Sequence, residues 1–434
     1  MARSPLWRHR DFMKLWSAET ISQLGTAVTV LALPLVAITQ LHATPFEVGA
    51  LSALEFAPFV LVGLPAGVWV DRLRRRPVLI VGDLGRAALL ASIPIAYEFD
   101  ALTIWQLYGV AFAMGVLTVF FDVAYQSYLP SLVERNLLAD GNAKLEISRS
   151  GAQIAGPGIA GALIGWLTAP VAIVVDSVSF VFSAAGIGLI RGQETVERVP
   201  RSERPRMRTE IAEGLRYVLG HRLLRPIAVC TATSNLFAQI LQTQGIVFMV
   251  RTLGFSAAQI GTAYALGNVG FLIGASLTNT LIRRLGVGRT IVLSIGVVSP
   301  FAFLIPLASL GAPMVLVTVG LFGFALGNPT YNIAQVSLRQ AICPDRLQGR
   351  MNASMRFTVW GTLPIGAALG GVLGGWIGLR PTLFIGAAGS CLAWIAPAFS
   401  PVWRLRTIAD AQDQEAALAA VGSDTGLVAP AAPV

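Results

Sequence analysis

Charge is the scarcest commodity in this chain of 434 residues: only 13% are Asp, Glu, Lys or Arg, against 54% hydrophobic, where a soluble domain carries about 25% charged residues. That shortage excludes a water-soluble globule, and the high hydrophobicity excludes intrinsic disorder. Cysteine is almost absent. Cys230, Cys343 and Cys391 are odd in number and far apart, so a disulfide framework and a CxxC metal site are both excluded. The three histidines, His9, His42 and His221, fall outside the apolar runs, which leaves no zinc site or histidine proton relay within a membrane. There are two lysines, Lys14 and Lys144, against thirty arginines, a composition that points to a GC-rich bacterial source. No HExxH, phosphate loop or Ser/His pairing appears, so a polytopic membrane enzyme is the weaker reading, and a cofactor or ATP is not expected.

What is present is long apolar sequence. Twelve stretches are long enough to cross a bilayer, at about 15–39, 47–70, 78–97, 103–126, 147–168, 171–190, 226–250, 259–282, 290–309, 312–335, 354–378 and 381–403. With the N-terminus inside, 29 of the 32 basic residues fall in inner segments. Only Arg251 and Arg380 fall in outer loops, and Arg86 lies within the third span. The positive-inside rule therefore places both termini in the cytoplasm, and the net charge of +9 needs no nucleic-acid partner.

The reading is all-α: a six-helix bundle over 1–190, a cytoplasmic linker over 191–225, a second six-helix bundle over 226–403 and a disordered tail over 404–434. Within the linker, Ile211, Leu215, Val218 and Leu219 recur at helical spacing, which predicts an amphipathic helix lying at the cytoplasmic interface. The halves repeat. A shift of 210 superposes Gly161 on Gly371, Asn142-Ala143 on Asn352-Ala353 and Gly165-Trp166 on Gly375-Trp376. Two parallel six-span repeats imply an axis along the membrane normal, with a site between them near mid-depth.

Between spans two and three stands GVWVDRLRRR, in which Gly67 permits close helix approach and a tight exit. Asp71 puts a carboxylate at the boundary, and Arg72, Arg74, Arg75 and Arg76 meet headgroups. This segment resembles the loop signature G-x-x-x-D-R/K-x-G-R/K-R/K of the major facilitator superfamily, with Arg74 in place of the second glycine. The resemblance implies a gating role for Gly67, Asp71, Arg72, Arg75 and Arg76. Span five contains GPGIAG, with Gly156, Pro157 and Gly161, similar to the antiporter motif G-P-x-x-G-G of exporters in that superfamily, with Ala160 in place of the first of the paired glycines; ordinary small-residue packing is the competing account. The opening PLWRHRDFMKLW, the linker helix and PDRLQGRMNAS resemble the proton-driven exporters grouped with the enterobactin exporter and the macrolide efflux pumps. The implied protein is a twelve-helix exporter of an amphipathic small molecule by proton antiport, working as a monomer in a bacterial inner membrane. An importer of the same fold and a transport-incompetent receptor are the alternatives.

Ionisable residues at membrane depth are functional candidates by default. Asp83 and Arg86, three apart, read as a local ion pair. Asp176 sits near the outer end of span six, where hydration or capping can satisfy it. Glu55 and Asp122 lack a local partner, so Glu55, Asp122 and Asp176 are the proton-coupling candidates. Span four lacks the arginine that many antiporters of the superfamily carry, so their carboxylate–arginine scheme does not transfer directly. Polar residues on the first and fourth helices of each half, Gln23, Gln126, Asn235, Gln239, Gln242, Asn328, Tyr331 and Asn332, are the substrate-cavity candidates, with Phe120, Phe121, Tyr264 and Trp360 as aromatic neighbours.

Overall fold

A computed structural model describes residues 5–70, 73–134, 137–190 and 207–413. The first half holds α1 (Arg10–Thr39), α2 (Pro45–Leu61), α3 (Gly63–Val70), α4 (Arg75–Glu98), α5 (Ile104–Leu132), α6 (Leu138–Leu167) and α7 (Ala169–Gly188). After α8 (Met207–Gly220), the second half holds α9 (Leu224–Arg251), α10 (Ala257–Leu285), α11 (Val287–Gly296), α12 (Leu304–Leu307), α13 (Pro313–Ile342), α14 (Asp345–Trp376), α15 (Leu379–Ser390) and α16 (Ile395–Ala398). Three of the expected spans are broken. The second divides into α2 and α3 after Pro58, and the ninth continues from α11 through 3-10 turns and α12 past Pro306. The twelfth turns between α15 and α16.

Among the described residues nine helical segments are long and apolar enough to cross a membrane. The others miss for local reasons: α2 stops at 17 residues, α6 is diluted by glycine, proline and glutamine, and α9 by Asn235, Gln239, Gln242 and Gln244.

The internal repeat is written in the backbone. Positive φ angles occur at His42 and Gly254, at Asp100 and Ala312, and at Thr168 and Gly378. Each pair occupies the same loop of its half, the first two 212 residues apart and the last 210. Thr44 caps α2 in a reciprocal box with Glu47, and Ser256 caps α10 in the same way with Gln259. Within the first half α1 packs on α6 and α7, and α4 on α5 and α7; in the second, α10 packs on α13, and α9 on α14 and α15. The halves meet through two equivalent pairs, α2 with α14 and α6 with α10.

Those pairs are tight at one end only. A Cβ built on Gly161 stands 2.8 Å from Gly261 Cα, and one built on Gly371 stands 2.9 Å from Gly49 Cα. Nearer the ends that carry the termini, Gly151 of α6 faces open space and Gly361 of α14 comes no closer than 4.0 Å to Val60. At the tight end Arg251 donates to the carbonyls of His42 (3.0 Å) and Ala43 (2.6 Å), and Gln244 Nε2 donates to Pro45 O (3.1 Å). The halves thus splay towards the termini.

The linker helix is held by protein. Glu213 pairs with Arg350 Nη1 of α14 at 2.6 Å, Gly214 lies against Arg350 and Ser354, and Val218 is buried with Leu347, Met351 and Met355. Of its apolar stripe, Val218 is buried, Leu215 is half-buried and Leu219 stays exposed; the side chain of Ile211 and residues 191–206 lie outside the described residues. At the other terminus Val287 N and Gly288 N donate to Arg406 O and Leu405 O, and Ala411 is buried. The described chain runs to Asp413, beyond the expected boundary at 403, and 414–434 lie outside the described residues.

Candidate functional site

A cavity of about 630 Å³ lies between the halves. From the first half α1 contributes Gln23, Thr26 and Val30, α2 contributes Ser52, Glu55 and Phe56, and α6 contributes Gln153 and Pro157. From the second, α9 contributes Gln239, Gln242 and Thr243, α10 contributes Tyr264, Asn268 and Phe271, and α13 contributes Leu321 and Phe324. The walls are chiefly apolar and aromatic, with a few amides and hydroxyls. One charged residue, Glu55, is among the described lining residues. Such a site takes a molecule of drug size through apolar contact and fixes its orientation by a handful of polar groups.

Of the expected substrate residues, Gln23, Gln239 and Gln242 line this cavity. Gln126, Asn235, Asn328, Tyr331 and Asn332 lie off it. Tyr331 has a packing role: its hydroxyl is 2.6 Å from Thr231 Oγ1 and donates to Ile227 O, tying α13 to α9. Asn332 accepts from Gln335 at 3.1 Å. Tyr264 is the one aromatic candidate in the wall. Phe120 stacks on Trp69, Phe121 covers Arg86, and Trp360 meets Phe59 edge-on at 4.4 Å. Ser52, Phe56, Asn268 and Phe271 were not anticipated. Their signal was a polar-aromatic stripe at helical spacing, Ser52-Glu55-Phe56 and Tyr264-Asn268-Phe271, on the second helix of each half.

The three candidate acids occupy different settings. Glu55 faces the cavity. Asp122 is half-buried on α5, with Arg86, Arg149 and Arg356 the cations within electrostatic reach. Asp176 is fully buried inside α7, so neither hydration nor capping satisfies it; Thr29 and Ser179 donate to its two oxygens at 2.5 and 2.9 Å. Asp83 and Arg86 form the expected ion pair, and the guanidinium is further clamped between the rings of Phe121 and Phe180, 4.1 and 4.2 Å from their centroids.

Asp71 and Arg72 of the loop motif lie outside the described residues. Arg76 donates to the carbonyls of Ile187 (3.2 Å) and Gly188, and Lys14 donates to Leu189 O at 2.6 Å, so cations satisfy the last carbonyls of α7. Among the described residues, no atom lies within 4 Å of a Cβ built on Gly67. The span-five motif is packed: Gly156 meets the Cβ of Ala27 on α1, Pro157 lines the cavity, and Gly161 meets Gly261.

Comparison with known proteins agrees with this architecture. The chain is 25% identical to an uncharacterized MFS-type transporter, YfiS, of Bacillus subtilis, over 86% of this chain and 89% of that protein. It is 26% identical to the multidrug efflux pump Tap of Mycolicibacterium fortuitum (88% and 93%) and 22% identical to macrolide efflux protein A of Streptococcus pyogenes (91% and 97%). Its fold matches a bacterial homologue of the iron transporter ferroportin in an inward-facing state, with a TM-score of 0.69 at 18% identity, covering 89% of this chain and 98% of that one. Residues 15–363 match the Major Facilitator Superfamily, and the chain belongs to that family of membrane transporters.

Proposed function

We propose that this transporter exports an amphipathic small organic molecule by proton antiport, with both termini in the cytoplasm of a bacterial cell. The cavity carries the reading: it is large, mostly apolar, and holds a carboxylate with no basic partner in the wall. Efflux proteins among its relatives support the direction. With the termini inside, the splayed end opens to the cytoplasm and the Gly49–Gly371 and Gly161–Gly261 crossings seal the outer side. This is the conformation that loads cargo from within. Glu55 serves as the point of competition, since a carboxylate in that wall can hold either a proton or a basic group of the cargo. The loop motif around Asp71 is read as the inner gate, on its resemblance alone. Inside-out vesicles carrying the protein, screened with macrolides and lipophilic cations with and without an imposed proton gradient, test the proposal. Uptake that ignores the gradient contradicts it.

A further inference from the structure

We propose that Asp83, Arg86 and Asp176 form a second proton-carrying site, set in the core of the N-terminal half behind the cavity and mechanically joined to it by α1. The inference rests on the antiport reading above and adds to it a site that governs conformation, where Glu55 governs cargo.

Three observations carry it. The first is charge balance. Asp83 and Asp176 are both fully buried, and Arg86 is 5% exposed. One guanidinium neutralises one carboxylate, so with both acids ionised this dry volume holds a net negative charge, which is expensive. A proton taken up on Asp176 removes that charge. Arg86 and Asp83 are the charges within reach of Asp176 among the described residues, and its remaining polar neighbours are Thr29 of α1 and Ser179 of its own helix. Ser183 is the hydroxyl beside Asp83. Further out, Glu19 of α1 and Asp122 of α5 lie within electrostatic reach of Arg86.

The second is incomplete satisfaction. A buried structural ion pair ordinarily has its donors matched. Arg86 Nε is buried with no acceptor among the described residues, while the guanidinium is gripped by Phe121 and Phe180. Arg86 therefore keeps a donor free for a second carboxylate.

The third is the two-faced packing of α1. Gln23, Thr26, Ala27 and Val30 line the cavity. On the opposite face Gly25 lies so close to Asp176 and Ser179 that a Cβ there overlaps both, and Thr29 donates to Asp176. Both hydroxyls stand within hydrogen-bond distance of the Asp176 carboxyl, and Ser179 shares its hydrogen between that carboxyl and the Asp176 backbone carbonyl at 2.8 Å. Protonation removes the charge from the carboxyl, weakens its charge-assisted bond with Thr29 and loosens the seat of α1, which moves the cavity wall with it.

The test uses the full chain in nanodiscs, with Cys230, Cys343 and Cys391 replaced. Spin labels at Ser131 of α5 and Gln340 of α13, both exposed at the terminal ends of opposite halves, read how far the inner side is open. In parallel, infrared difference spectra between acidic and alkaline pH read the carbonyl band of a protonated carboxylic acid. The wild type is expected to shift its distance populations roughly tenfold with pH. Asp176→Asn removes the shift and the part of the band that Glu55→Gln leaves in place. Thr29→Ala keeps the band and loses most of the shift, and it covers the case in which Asp176→Asn does not fold. Glu55→Gln keeps the shift. A wild-type response in either Asp176→Asn or Thr29→Ala overturns the proposal while leaving antiport standing. A wild type with no pH response and no band removes the antiport reading, and this site with it.

Discussion

Gly49 of α2 and Gly371 of α14 meet backbone to backbone, and Gly161 of α6 meets Gly261 of α10 in the equivalent place across the pseudo-twofold axis. Neither pair leaves room for a methyl group. These two crossings, with the bonds from Arg251 and Gln244 to the loop at His42–Pro45, hold the halves together at one end and have to part whenever the cavity opens that way.

Gly371→Val is expected to disfavour the described conformation. Overpacking a tight site costs about 1–3 kcal/mol, enough to move the two access states by roughly tenfold or more. Because the substitution burdens only the closed end, label accessibility near His42 should rise while protein yield stays normal. Unchanged accessibility in both Gly371→Val and Gly161→Val contradicts the assignment of these crossings as the outer seal.

Thr168 has φ 84° and ψ 155°, a region that glycine occupies freely and a β-branched residue does not. Its counterpart Gly378 has φ 90° and ψ 163°. Thr168→Gly should raise stability by about 1 kcal/mol, read as a higher melting temperature in detergent, and Gly378→Thr should lower it. Equal melting temperatures for Thr168→Gly and the wild type contradict the strain.

Asp410 caps the C-terminal strap. It accepts from the backbone N–H of Thr407 (2.9 Å), the Thr407 hydroxyl (2.8 Å) and the N–H of Arg406 (3.0 Å), and these bonds hold its carboxyl below its ordinary value. A lowered value means that the cap contributes fully above the ordinary carboxylate range and is lost only as pH falls through the lowered one. Hydrogen exchange at Thr407 should therefore stay slow through mildly acidic pH in the wild type and be fast at every pH in Asp410→Asn. Loss of protection at mildly acidic pH in the wild type contradicts this.

The fold was legible because its signals are long and one-dimensional. Twelve apolar runs and a repeat visible at Gly161 and Gly371 locate the halves, and three-residue spacing sufficed for Asp83 and Arg86. The cavity was less legible, since polar residues in a membrane helix mark packing as readily as a binding site. Tyr331 and Gln242 look alike in sequence, yet one clamps α9 and the other faces the cavity. Asp176 was misjudged because its partner Thr29 lies 147 residues away, on a helix that only tertiary packing brings near. The helix breaks after Pro58, and a Cβ built on Gly67 meets no neighbour among the described residues, which no local pattern announces.

The central claim is proton-driven export through the cavity that Glu55 lines. Its most direct test is uptake of macrolides and lipophilic cations into inside-out vesicles with an acidic interior, comparing wild type with Glu55→Gln. The account predicts that the wild type accumulates at least one of these compounds, that a protonophore abolishes the accumulation, and that Glu55→Gln loses gradient-driven accumulation while retaining downhill exchange. Accumulation by Glu55→Gln at the wild-type rate, or by the wild type without regard to the gradient, contradicts it.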